Sequence, residues 1–219
     1  MEASARRRVF RSIFVVLPDR SRTPQGLRRG LSRFLRDRGS AARPTLIPEE
    51  PPLLCVVLIY DAFPMLGNRH PLLQRLQQVV FESATRSERL QRIAALIREA
   101  GPYRWVGLYD VNRERAEVVN VVWDGPGAPE FPVFPITKGL TGSAIAERKI
   151  VNVGDVALDS RYLTAFGSTK SEIIVPIFSC DDQQVVGTID IESEQSDAFS
   201  ADVERTLVAC ADVIRPLWG

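Results

Sequence analysis

Residues 136–193, ITKGLTGSAIAERKIVNVGDVALDSRYLTAFGSTKSEIIVPIFSCDDQQVVGTIDIES, run as a glycine-punctuated turn, a short helix, a strand, a loop without strong periodicity and a closing hairpin. The hairpin is the clearest signal. Ile173, Ile174, Val175 and Ile177 lead into a polar turn at 179–183, and Val185, Val186, Ile189 and Ile191 come straight back. Glu172, Asp190 and Glu192 interrupt these apolar strands, and strict alternation places Asp190 and Glu192 on the face opposite Ile189 and Ile191. Acids in that position either meet solvent or enter a pocket.

Upstream, Leu72, Leu73, Leu76, Val79 and Val80 recur at helical spacing behind Pro71, a residue suited to a first helical turn. Leu90, Ile93, Ala94 and Ile97 form a second stripe, with Ser87 as the expected cap and Gly101-Pro102 as the stop. Two strands follow at 103–111 and 116–123, joined by the polar turn 112–115, and a short strand is expected at 131–136. Lys138-Gly139-Leu140-Thr141-Gly142-Ser143 lacks the G-K-[ST] order of a phosphate loop, so its glycines read as a turn before a helix starting at Ser143. A last helix over 201–217 carries Val203, Leu207, Val208, Cys210, Ala211 and Ile214 on its stripe, with Ser200 as cap. Consecutive hairpins with helices at the ends predict an α+β domain built on an antiparallel sheet.

The charge is unevenly placed. Residues 1–50 hold twelve arginines against five acids, whereas residues 51–219 hold 16 Lys and Arg against 22 acids. The main domain is therefore acidic, which argues against nucleic acid as its partner, because phosphate binding needs clustered positive charge. Residues 1–64 form an Arg- and Pro-rich extension that reads as disordered or dispensable, with a basic arm or a targeting segment as alternatives. The apolar run at 53–60 is far shorter than the roughly twenty residues of a membrane span. The globular domain is expected over 65–219. Cys55, Cys180 and Cys210 have no C-x-x-C spacing and are odd in number, which suggests a reducing, cytoplasmic location. His70 is the one histidine, so neither a histidine-based metal site nor a Ser-His-Asp triad is expected, and no cofactor is called for.

Trp105 and Tyr109 share a strand face with Gly107 between them, as a pocket for a small cationic or zwitterionic ligand would require. Together, Trp105-Val-Gly-Leu-Tyr109, Gly139-Leu-Thr-Gly142 with Ala146-Glu-Arg148, Ser171-Glu-Ile-Ile-Val-Pro176 and Gly187-Thr-Ile-Asp-Ile-Glu192 resemble a GAF domain. Within that group they look most like the free methionine-(R)-sulfoxide reductases. The resemblance covers residues 70–217 and implies a six-stranded antiparallel sheet flanked by helices, with a closed pocket over one face. It also implies that Trp105, Tyr109, Glu172, Asp190 and Glu192 line that pocket, and that the protein forms a homodimer through its terminal helices.

The chain departs from the reductases at their thiols. The family's nucleophilic cysteine falls seven residues before Glu172, where this chain has Ala165, and its resolving cysteine falls at Thr141. A further family cysteine has no counterpart between Asp124 and Pro135. Sulfoxide reduction by that route needs one thiolate to attack and a second thiol to release it as a disulfide. The expectation is a sensor-like binding protein for a free amino acid or amino-acid sulfoxide, signalling through a partner in trans. The alternatives are an active reductase with relocated thiols, or an interaction module whose pocket is filled by Phe166 or Tyr162.

Overall fold

A computed structural model describes residues 70–164 and 166–219. The N-terminal extension, the apolar run at 53–60 and Ala165 lie outside the described residues.

Helix α1 (Pro71–Val80) opens on a proline, at a position whose backbone N–H would have no intrahelical acceptor. Helix α2 (Arg86–Glu99) is capped by Thr85 and not by Ser87. Thr85 accepts from the Glu88 backbone N–H, and the Glu88 carboxylate accepts from the Thr85 backbone at 2.9 Å. This reciprocal box satisfies two donors at once, which a cap at Ser87 could not do without a Glu or Gln three residues on. Both apolar stripes expected of these helices are buried. The last helix, which runs Ala201–Ile214 behind the Ser200 cap, tightens to a 3-10 turn at Arg215–Trp218, where Pro216 cannot donate to the ladder. Val208 of that helix is exposed, and Ala209 faces the core in its place.

Six strands form one antiparallel sheet: β1 (Trp105–Asn112), β2 (Glu117–Asp124), β3 (Val133–Pro135), β4 (Val151–Val153), β5 (Ser171–Phe178) and β6 (Val185–Ser193). Their order is β3-β2-β1-β6-β5-β4. The two hairpins therefore meet edge to edge through β1 and β6, and β6 becomes a central strand. One face of the sheet carries Val106, Leu108, Ile173, Val175, Ile177, Ile189 and Ile191, packed with buried side chains of α1, α2 and the last helix. Each fully buried Ile or Leu in this layer stabilises the fold by roughly 1.5–3 kcal/mol. The opposite face is covered by helix α3 (Gly139–Glu147), whose Leu140 and Ala144 pack with Val151 and Ile174. The last helix is accordingly α4.

Strict alternation fails in two places, near the turn of the β5–β6 hairpin, where Ile177 pairs with Gly187 but Phe178 with Val185, and in β2. Leu108 pairs with Val122 but Tyr109 pairs with Asn120, so Val121 is an extra residue. The Asn120 amide fills the resulting bulge by donating to the Val122 carbonyl at 3.2 Å. As a consequence Val118 and Val122, four residues apart, pack on opposite faces of the sheet.

Helix α3 starts at Gly139, four residues earlier than expected, with Lys138 as its N-cap. Gly139, at φ +74°, supplies the turn, but Gly142 lies inside the helix. A Cβ there would sit 2.5 Å from the Thr137 carbonyl carbon, so this glycine permits close approach of the helix to the segment before it. Among the described residues, no helix is long and apolar enough to cross a membrane.

Gly142→Ala should lower stability by about 1–3 kcal/mol through overpacking against a backbone that cannot retreat. Gly127→Ala, whose Cβ would meet nothing within 4 Å, is the control and should be close to neutral. Urea unfolding of the two variants against wild type checks this.

Candidate functional site

The register of the three central strands stacks the candidate residues in rows. Trp105 lies opposite Glu192, which lies opposite Glu172; Gly107, Asp190 and Ile174 form the next row, and Tyr109, Thr188 and Pro176 the third. Directly opposed residues share a face. Trp105, Tyr109, Glu172, Asp190 and Glu192 thus come together on the face away from the large helical layer, and all five line one narrow cavity of about 40 Å³. Leu140 and Thr141 of α3, Leu163 from the loop before β5, and Phe131 and Phe134 at β3 complete its walls.

The aromatic wall is continuous. Trp105 packs on Tyr109 at 6.4 Å and on Phe166 at 5.9 Å between ring centroids, and Tyr109 meets Phe134 edge-on at 5.8 Å. Trp105 Nε1 donates to the Gly127 carbonyl at 3.0 Å, so its one polar atom is satisfied. Gly107 does not leave free room between the two aromatics. A Cβ on it would lie 2.1 Å from the Trp105 ring and 2.8 Å from that of Tyr109, so both rings lean over it and only glycine permits their approach. Phe166 packs against Trp105, and Tyr162 packs with Leu140, Ala144, Val151 and Ile174; neither is a wall residue of the cavity.

Asp190 and Glu192 are buried, at 4% and 2% exposure, and not at the solvent face. Glu172 is half-buried. Two threonines hold the β6 acids. Thr141 Oγ1 donates to Asp190 Oδ2 at 2.8 Å, and the Thr169 hydroxyl donates to Glu192. Sequence spacing flagged neither contact, because each crosses from a covering segment to the sheet. Asp190 Oδ1 is buried and has no hydrogen-bond partner among the described residues.

Burial pushes the Asp190 carboxyl up to about 7, against the pull of the Thr188 and Thr141 hydroxyls. Burial likewise raises Glu192 to about 7, opposed by Thr169, reinforced by the charge of Asp190 and opposed again by Arg104. Glu172 lies well above the usual carboxylate range, from burial first and then from the charges of Glu192, Asp190 and Asp159. The Tyr109 phenol is pushed up by burial and then by Asp190, Glu172 and Glu192. Among the described residues, no lysine, arginine or histidine lines the cavity. Nor, among them, do three His, Cys, Asp or Glu side chains converge closely enough to hold a metal ion. The pocket is an acidic cleft with an aromatic side and no internal counter-charge.

The described cysteines lie elsewhere. Cys210 is buried in α4, packed in the layer on the other side of the sheet, and burial pushes its thiol up to about 12. Cys180 follows β5 in the turn, at the end of the β5–β6 ladder opposite Glu172 and Glu192.

Comparison with known proteins agrees with this architecture. The chain is 26% identical over 146 residues to Protein YtsP of Bacillus subtilis, covering 65% of this chain and 86% of that protein. It is 30% identical over 95 residues to the free methionine-R-sulfoxide reductase of Saccharomyces cerevisiae, covering 43% of this chain and 52% of the yeast protein. The structure of free methionine-R-sulfoxide reductase from Neisseria meningitidis in complex with its substrate superposes with a TM-score of 0.62 at 29% identity, covering 67% of this chain and 86% of that one. The GAF domain model matches residues 85–215, more than half of the chain, and the protein belongs to the GAF domain family.

Proposed function

We propose that the protein is a GAF-type binding protein whose pocket takes a free amino acid or amino-acid sulfoxide, and that it does not act as a reductase. The observation that carries this reading is the set of three carboxylates around one cavity that no lysine, arginine or histidine lines among the described residues. A ligand ammonium would supply the missing charge to Glu172, Asp190 and Glu192, and Trp105 and Tyr109 would pack on the ligand side chain. The homodimer through the terminal helices is part of this proposal, as is a signalling partner in trans. Phe81 and Val208 are large apolar side chains exposed at α1 and α4.

The rival reading is an active free methionine-R-sulfoxide reductase with relocated thiols, and the likeness to the yeast and Neisseria enzymes favours it. Against it stand the threonine at position 141, on the cavity wall, and the separation of Cys180 and Cys210 from the acids. A thiol held near a pKa of 12 is almost wholly protonated at neutral pH and a poor nucleophile.

Calorimetry with methionine and methionine sulfoxide tests the ligand class. Wild type should bind at least one of them, and Glu172→Gln should weaken binding at least thirtyfold, the equivalent of about 2 kcal/mol for losing one partner of a buried charged contact. Equal affinity in both proteins removes Glu172 from the site, and no binding to wild type removes the ligand class. An NADPH-coupled thioredoxin assay with free methionine-(R)-sulfoxide should show no turnover above the blank without enzyme; turnover would establish the rival.

The raised carboxyls also set a pH dependence. A group with a higher pKa folded than unfolded makes the native state bind more protons, so stability falls as pH rises between the two values. For Asp190 and Glu192 that window runs from their ordinary values of 3.8 and 4.5 to about 7. The ligand-free protein should therefore lose thermal stability progressively from pH 4.5 to 7.5, and a bound ammonium compound should restore more of it at pH 7.5 than at pH 5. A melting temperature that rises across this window without ligand would contradict the assignment.

A further inference from the structure

Thr141 does something in this pocket that a cysteine at the same place could not. Its side chain is buried, at 5% exposure, on the inner side of α3, and its hydroxyl donates to Asp190 Oδ2 across 2.8 Å. That contact uses one oxygen of a carboxylate whose other oxygen, Oδ1, is buried, unpartnered among the described residues, and part of a side chain that lines the cavity. A carboxylate on a free χ2 can offer either oxygen in a range of directions, whereas one pinned at Oδ2 holds Oδ1 in a single direction. The pinning is firm because α3 is itself fixed, by the close approach of Gly142 to the Thr137 backbone in the next residue position.

We propose that Thr141 is the positioning residue of the site, orienting the Asp190 carboxylate so that Oδ1 stands as a dedicated acceptor for the protonated primary amine of the ligand. This rests on the binding reading above and goes beyond it, because it makes amine selection depend on a side chain that need not touch the ligand. A hydroxyl is a strong enough donor to favour the ionised carboxylate, while a thiol is a weak one. Three further groups bear on Asp190: Tyr109 on β1, Glu172 on β5 and Glu192 on β6, each of which interacts with its charge. From β6 itself the buried Thr188 hydroxyl pulls the Asp190 pKa down without making a hydrogen bond of good geometry to Oδ1, and Arg104, just before β1, acts on Glu192. None of these is altered by a substitution at 141, so a change in the Asp190 titration on such a substitution reports the Thr141 hydrogen bond.

The test has two parts, on the full chain. In ligand-free protein, carbon-13 NMR of the Asp190 carboxyl should show its titration midpoint rising in Thr141→Val and returning to the wild-type value in Thr141→Ser. Thr141→Cys, close in size but with a weak donor, should follow valine, and it serves alone if valine disturbs α3. In calorimetry, wild type and Thr141→Ser should bind L-methionine more tightly than N-acetyl-L-methionine, which lacks the cationic amine. Thr141→Val should lose roughly tenfold for L-methionine, as expected for a hydrogen bond to a charged group, with little change for the acetylated compound. An unchanged Asp190 midpoint in folded Thr141→Val or Thr141→Cys overturns the proposal. So does an equal loss for both compounds, which would mark a merely structural role. If wild type binds neither compound, the ligand reading above falls, and the titration still decides whether Thr141 positions Asp190.

Discussion

Three carboxylates share one face of a central sheet region with two threonine hydroxyls holding two of them, and much of the structure is arranged around that constraint. An ionised carboxyl taken out of water is destabilising unless it is paired or hydrogen-bonded. For Asp190, a rise from 3.8 to about 7 corresponds to a preference for the neutral form of at most roughly 4 kcal/mol. The acids cannot move away from one another, because β6 is held on both sides, by β1 and by β5, and the register fixes Glu192 directly between Trp105 and Glu172. Such tension is tolerated because the opposite face of the same strands is an unbroken layer of Ile, Leu and Val against three helices. Stability and the candidate function are thus divided between the two faces of one sheet. Strongly shifted acids in a cleft are a recognised mark of functional sites.

Glycine makes both faces possible. On the pocket side Gly107 lets the Trp105 and Tyr109 rings fold over the strand, and on the helical side Gly187 accepts the Trp218 indole, where a Cβ would lie 2.3 Å from Nε1. Trp218 is in turn covered by the Arg86 guanidinium at 5.1 Å, while Arg86 Nε donates to the Leu217 carbonyl at 2.7 Å and its terminal nitrogens pair with Asp110. The ion pair is partly exposed, so its Coulomb contribution is small; its geometric effect is to fasten the residues after α4 to β1. Asp110 pairs with Gly187, and their neighbours Tyr109 and Thr188 face the pocket side. Adjacent residues of the same two strands therefore meet the C-terminal turn on one side and the site on the other.

The period-two pattern of β5 and β6 made the fold legible, and alternation alone placed Asp190 and Glu192 opposite Ile189 and Ile191. What alternation left open was whether that face meets water. The answer depended on β1 pairing with β6 and on α3 covering the sheet, which are contacts between segments far apart in the chain. The misplaced features share a cause. Thr85 displaced Ser87 as the cap because Glu88 completes a reciprocal box, and α3 began at Gly139 because the second glycine serves packing and not a turn. The bulge at Val121 has no hydrophobic signature, since Asn120 creates it by bonding its own strand. Thr141 was visible only as a missing thiol. Its hydrogen bond to a residue 49 positions away leaves no trace in spacing.

That last point bears on how one position can change what a pocket is for. At the place of Thr141, a thiol could exchange with a disulfide but would hold a carboxylate weakly, whereas a hydroxyl holds it strongly and cannot exchange. The two capacities exclude each other in a single side chain. With the hydroxyl present, Asp190 is drawn toward its ionised form against the push of burial, and its Oδ1, buried and without a partner among the described residues, is left in an acidic cleft. Chemistry on sulfur would instead ask the site for a thiolate and for electrons delivered through it. The hydrogen bond from Thr141 thus supplies what cation binding needs and what thiol exchange does not, which is why the side chain at 141 carries more of the proposed function than its absence of sulfur alone suggests.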